Sequence, residues 1–185
     1  PEILLKSLTA RFPAGATGAP ATLLIAERVA LEAVAGLVPG FPWDRLAEVP
    51  TPDRATLENL GGRIALLDPV ADRRTIELGR SRAADAHGAM AALDAGIALA
   101  RAGIVDAIVT APVSKESIAH HVLPGFVGHT DYLAAACGLE RYGRDYLMAF
   151  LAPAMQVALL SVHLPLREAL DRIGRESVLE ALECL

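Results

Sequence analysis

Cysteine is nearly missing from this chain: Cys137 and Cys184 are the only two in 185 residues, and they lie far apart. That excludes a disulfide scaffold, and the lack of a closely spaced pair excludes a zinc knuckle. Two ordinary buried thiols in a reducing cytoplasm are the expectation. An excess of positive charge is missing too, with 17 Lys and Arg against 22 Asp and Glu and a formal net charge of -5. No electrostatic footprint for nucleic acid or an acidic membrane results, so any anionic ligand must be met by local groups. Apolar runs are alanine-rich or strand-sized and fall short of a membrane span. Residues 1–12 do not follow the basic, apolar, cleavage-site order of a secretory leader. The stretch "PAGATGAP" (13–20) lacks both the Lys-Ser/Thr ending of a P-loop and the spacing of a dinucleotide fingerprint, and reads as a plain turn. No internal repeat is present, and no low-complexity tract beyond alanine enrichment.

What remains is a globular composition. With 53% hydrophobic residues the chain can bury a sizeable core as one domain or two small ones. Pro1-Glu2 opens directly into a helical pattern, and "RESVLEALECL" runs as an amphipathic helix to Leu185 without a capping Gly or Asn. The expectation is an internal piece of a longer protein.

Residues 1–12 predict a helix. Residues 21–37 start as a strand and continue as an amphipathic helix, and the Pro-rich 38–62 predicts an irregular surface excursion carrying Trp43. "RIALLDP" (63–69) is a short buried strand. Alanine spacing from Ser81 to Ala102 predicts a long helix ended by Gly103, in which His87 stands alone as a surface or structural residue. "IVDAIVTA" (104–111) is a near-continuous β-branched run. Helix, glycine, buried strand is the repeating unit of a parallel α/β sheet. A helix from near Thr130-Asp131 to Ala136 follows, then a hairpin formed by "RDYLMAFLAP" and "MQVALLSVHLPL", then helices interrupted at Gly174.

In open α/β sheets ligands gather at the carboxyl ends of strands, which points to Thr110, Pro112, Ser114 and Lys115. A lysine there either pairs with a carboxylate, phosphate or developing alkoxide, or is simply solvated. In "GHTD", Gly128 permits close backbone approach, Thr130 or Asp131 can cap the next helix, and His129 can hold a phosphate or bond to backbone. His120 and His121 should diverge around their helix and stay outside a common site. His163, at the end of a strand of otherwise apolar residues, is either a satisfied core residue or a ligand. Spacing alone favours the first, because one histidine cannot define a metal site.

Taken together, "DAIVTAPVSKESI", "GHTDYLA" and "VALLSVHLPLREALDRI" resemble the 4-hydroxythreonine-4-phosphate dehydrogenase family. "PEILLKSL" is similar to the continuation of that family's "GDPAGIGPEI" segment, and the likeness is weakest over residues 13–62. The resemblance implies an α/β fold like that of isocitrate and isopropylmalate dehydrogenases, with two α/β/α domains. Here these would be a first part at 1–124, lacking its N-terminal strand, and the start of a second at 125–185. It implies NAD or NADP bound without a Rossmann fingerprint, a divalent metal such as Zn2+, Mg2+ or Co2+, and a cytoplasmic homodimer with a shared active site. The partner is a phosphorylated hydroxy acid, with no nucleic acid or membrane. By the same resemblance His129 and Thr130 are the substrate-binding pair, His163 is the first of three metal-ligand histidines, and Lys115 is a catalytic lysine near the substrate. The other two metal histidines belong to a C-terminal part beyond this chain. Three rival expectations stand beside this one: a D-threonate or D-erythronate 4-phosphate dehydrogenase, a catalytically incomplete fragment, and a phosphate acyltransferase of similar fold.

Overall fold

The computed structural model describes residues 1–12, 21–70 and 74–185; the turn expected over 13–20 lies outside them. The chain divides into two compact units, Pro1–Val127 and Gly128–Leu185.

The first unit is organised by strand β3 (Ile64–Leu67), which pairs in parallel with β1 (Leu23–Ile25) on one side and β2 (Leu46–Glu48) on the other. Side chains alternate across a strand with period two. Accordingly Ile64 and Leu66 join a cluster with Leu5, Leu8 and Phe12, whereas Ala65 joins Val49 and Leu57 on the other face. Ile64 and Leu66 are almost completely buried, each worth about 1.5–3 kcal/mol in apolar transfer. Helix α1 (Glu2–Arg11) supplies Leu5 and Leu8 to that core, and short α2 (Arg28–Glu32) supplies Leu31.

Two expectations change here. Residues 38–62 are not a mere surface excursion: they contain β2 and α3 (Arg54–Glu58), and Phe41 is 4% exposed with Trp43 edge-on at 4.8 Å. The prolines mark the turns of a crossover, and the apolar residues between them complete the core. The second change concerns 104–111. Helix α4 (Ala83–Arg101) ends as expected at left-handed Gly103, with Ile104 N donating to Leu99 O at 2.9 Å. Ile104 and Val105 then pack on the Val49 cluster. Beyond them no strand forms, and Val109 is 90% exposed. A β-branched run becomes a strand only against a ladder partner, and none faces this one among the described residues.

Within the second unit, α6 (His129–Ala136) precedes an antiparallel hairpin of β4 (Ala149–Ala152) and β5 (Met155–Ala158), then α7 (Leu166–Asp171) and α8 (Arg175–Glu183). Helix α5 (Lys115–His121) belongs to the first unit. Cys137 is exposed and Cys184 half-buried, so neither is the buried thiol expected. No helix among the described residues is long and apolar enough to cross a membrane.

The strongest polar feature of the first unit lies just past β1. Glu27 is 6% exposed, and Arg74 donates to both its oxygens at 2.7 Å through Nε and Nη2, while Nη1 reaches Asp85 at 2.5 Å. The Glu27 carboxylate lies flush on α4 at Gly88, where a methyl group would collide with it. Burial pushes the Asp85 carboxyl up, but the Arg74 guanidinium and the Arg82 amide outweigh it and hold it below its ordinary value. The stabilisation from Asp85 is therefore present at neutral pH and is lost as pH falls through that lowered value. Arg74→Met in the intact protein should cost about 3–5 kcal/mol, because it leaves buried Glu27 uncompensated. Urea unfolding should show that deficit at neutral pH and a smaller one once the pH falls below the lowered Asp85 value, where the Arg74–Asp85 pairing is lost in the parent as well; an equal deficit at both would mean the pairing is not electrostatic.

Candidate active site

Lys115 is the first residue of α5 and is exposed. Ser114 caps that helix, its Oγ accepting from Ser117 N at 3.3 Å, whereas Ser117 Oγ is buried and without a partner among the described residues. His120 and His121 close the helix. Their rings meet edge-to-face at 4.5 Å, closer than the expected divergence, since α5 ends at His121 and the last turn is free to let them touch.

His129 and Thr130 are the first two residues of α6, both half-buried. The N-cap is Gly128, not Thr130 or Asp131 as the composition of the turn suggested. Gly128 is extended and buried, and no side chain caps the helix. A side-chain cap would have to sit one residue before the helix, and the helix has started at His129. The first-turn amides carry no side-chain cap and lie in the same turn as an imidazole and a hydroxyl, a combination suited to an anionic group.

His163 is not at the end of a strand. Strand β5 stops at Ala158, and His163 sits in an exposed bend with φ 57°, the sole non-glycine residue at positive φ among those described. The strand stops early because its partner β4 ends the ladder at Ala149 opposite Ala158. Left-handed backbone at a non-glycine residue carries a conformational cost. Among the described residues no group of three or more His, Cys, Asp or Glu converges to hold a metal ion. These residues therefore do not by themselves fit the divalent ion that the family resemblance implies.

The sequence reading passed over Tyr142 and Tyr146, whose rings stack edge-on at 5.4 Å. Tyr142 Oη donates to Leu159 O at 2.8 Å and accepts from Met148 N at 3.2 Å, and Tyr146 Oη meets Asp131 Oδ1 at 3.5 Å. The only hint was the pair of tyrosines flanking Gly143 in "RYGRDY".

A parallel-sheet unit, followed by one that opens on a Gly-His-Thr-Asp helix start, defines a mixed α/β protein with an anion-suited polar turn. Residues 19–185 match the family model described as Pyridoxal phosphate biosynthetic protein PdxA, and the chain belongs to that family. A 4-hydroxythreonine-4-phosphate dehydrogenase of Acidithiobacillus ferrooxidans is 40% identical over 107 residues, 58% of this chain and 31% of the relative. The D-threonate 4-phosphate dehydrogenase of Pectobacterium atrosepticum is 31% identical over 188 residues, covering 99% of this chain and 53% of its own length. A solved structure of a Salmonella typhimurium protein, provisionally assigned as a 4-hydroxythreonine-4-phosphate dehydrogenase, superposes with a TM-score of 0.73 at 28% identity, over 98% of this chain and 53% of the other. Where relatives align along its whole extent, this chain spans about half their length, 53%.

The positive φ of His163 has a measurable consequence. His163→Gly should be more stable than His163→Ala by about 1 kcal/mol, because glycine reaches that backbone region without strain. Thermal unfolding of the two variants checks this; equal midpoints would mean the bend relaxes when the imidazole is removed.

Proposed function

We propose that the intact protein is an NAD- or NADP-dependent dehydrogenase of a phosphorylated hydroxy acid. Its substrate in this reading is 4-phosphohydroxy-L-threonine, oxidised at the 3-hydroxyl. The resulting β-keto acid loses CO2 to give 3-amino-2-oxopropyl phosphate on the way to pyridoxal 5'-phosphate. The observation that carries the reading is the α6 start, where His129 and Thr130 follow Gly128 in a chain of the PdxA family. Two α/β/α domains of the isocitrate/isopropylmalate dehydrogenase kind, a homodimer with a shared active site and a cytoplasmic location belong to the same reading.

Each residue then has a chemical task. The Thr130 hydroxyl and the His129 imidazole offer directional hydrogen bonds to a phosphorylated substrate, and bonds to an ionised oxygen are the strong ones. Lys115, a compact cation on a flexible stem, can pair with the substrate carboxylate or with the hydroxyl as it loses its proton. When bound, the nicotinamide supplies the hydride acceptor. A divalent ion enters the reading through His163, with further ligands required from outside the described residues.

D-threonate 4-phosphate, or its D-erythronate counterpart, is a second reading with its own support. The Pectobacterium relative of that name aligns with 99% of this chain, whereas the Acidithiobacillus relative aligns with 58%. Reduced cofactor formation by the intact protein, with Mg2+ or Zn2+ added and both substrates offered in parallel, separates the two. Metal-dependent NADH or NADPH from one of them, lost in His163→Ala, is the expected result; none from either substrate removes the protein from this reaction class. In the same assay His129→Ala should raise the substrate KM by about 10-fold or more, the loss of one hydrogen bond to a charged group. The KM for the nicotinamide cofactor should move by less than about twofold, since a bond made only to substrate leaves cofactor binding unchanged. Equal effects on both would count against a substrate role for His129.

A further inference from the structure

We propose that Tyr142 and Tyr146 form a positioning clasp for the substrate-binding turn, with Tyr146 holding Asp131 so that His129 and Thr130 keep their orientation at the start of α6. The proposal rests on the substrate-binding reading of His129 and Thr130 given above.

The second unit has little core with which to fix that turn: Ala134 and Ala181 are its buried apolar residues among those described. Polar links take over. Met148 and Leu159 face each other across the open end of the hairpin, Leu159 N donating to Met148 O at 2.9 Å. The Tyr142 hydroxyl closes the same rung from the side, bonded to Leu159 O and Met148 N. The loop that carries Tyr142 is itself tied down. Asp145 accepts from Glu140 N at 3.2 Å and Arg141 N at 2.9 Å, Gly143 N donates to Tyr146 O at 2.8 Å, and Arg141 pairs with Glu180 of α8 at 3.1 Å. Gly143 sits at φ 84°, which lets the chain double back and lays the Tyr146 ring edge-on against Tyr142.

Tyr146 thereby reaches the turn. Asp131 is the third residue of α6, a position from which an acid can swing back to the amide of the N-cap and occupy it. Its carboxylate instead lies 3.5 Å from the Tyr146 hydroxyl, at the outer limit of a hydrogen bond. Burial first, and then the Asp131 charge, raise the Tyr146 phenol above its ordinary value, so it is protonated and able to donate at neutral pH. A carboxylate anchored in this way fixes the first turn of α6, and with it the orientation of His129 and Thr130. His163 follows Leu159 by four positions, so one loop braces both the α6 start and the segment leading to the candidate metal ligand.

The test is substrate binding and turnover by the intact protein, measured by calorimetry and by steady-state kinetics with 4-phosphohydroxy-L-threonine and D-threonate 4-phosphate. Tyr146→Phe removes one oxygen and keeps the stacked ring. It should weaken substrate Kd and KM about 3- to 10-fold, the range of one ordinary hydrogen bond. Cofactor KM and the unfolding midpoint should barely change. Asp131→Ala should give a similar loss, and the double variant no more than either single one, because the two side chains act as a unit. Additive losses, or a Tyr146→Phe protein that binds substrate as the parent does, overturn the clasp. A fall in unfolding midpoint without a change in Kd overturns it as well, since that is the mark of a merely structural tyrosine. His129→Ala is the control for the underlying reading. If His129→Ala leaves Kd unchanged, the substrate-site reading fails and the clasp with it; if His129→Ala weakens binding and Tyr146→Phe does not, the clasp alone fails.

Discussion

The parallel pairing of β1 and β2 to either side of β3 is the constraint on which the first unit depends. Leu23 lies opposite Ala65 on one side and Leu46 opposite Ile64 on the other, so both flanking strands take their register from a single buried strand. Parallel neighbours cannot be joined by a tight turn. The chain must cross over between them, and each crossover returns to the same edge of the sheet. All three carboxyl ends therefore come out together, and with them Glu27, Glu48 and Asp68, each just past or at the end of its strand.

Three acids at one edge would repel one another unless bases were interleaved. Arg28 donates its backbone amide to Asp68 at 2.8 Å and its side chain to Glu48 at 2.6 Å and Glu32 at 2.7 Å. Arg74 meets Glu27 and Asp85 in the same way. The first set is exposed and adds little by itself. The second is closed over by α4, and it ties residue 74, far from β1 in sequence, to the end of that strand.

The second unit is built on a different balance. Phe150, Leu151, Met155, Leu166 and Leu182 are exposed, so apolar burial does little to set the path of the chain, and an isolated two-stranded hairpin is marginal in water. Its geometry rests on directional contacts instead. The Tyr142 hydroxyl bridges the two strands, Asp145 gathers two amides, and Arg141 reaches α8. Such contacts localise a turn to the precision a hydrogen-bonded ligand needs, and they concentrate that precision in few residues.

Much of this was determined by the sequence alone. The alanine spacing and Gly103 set out α4 and its left-handed end, "RIALLDP" the buried strand, the short Pro-containing bend the hairpin, and three ordered motifs the family. These features are local, or are carried by the order of residues along the chain. Only the tertiary structure decided the rest. Whether "IVDAIVTA" becomes a strand depends on a ladder partner that no local pattern encodes. Likewise, Phe41 and β2 fall inside the core because a crossover has to return to β3, although their surroundings read as a loop. The left-handed backbone of His163, the burial of Glu27 under Arg74 and the reach of Tyr146 to Asp131 join residues distant in sequence or hang on where a strand stops. Periodicity carries no information on such contacts, because they are selected by packing in three dimensions and not by the spacing of side chains along one element.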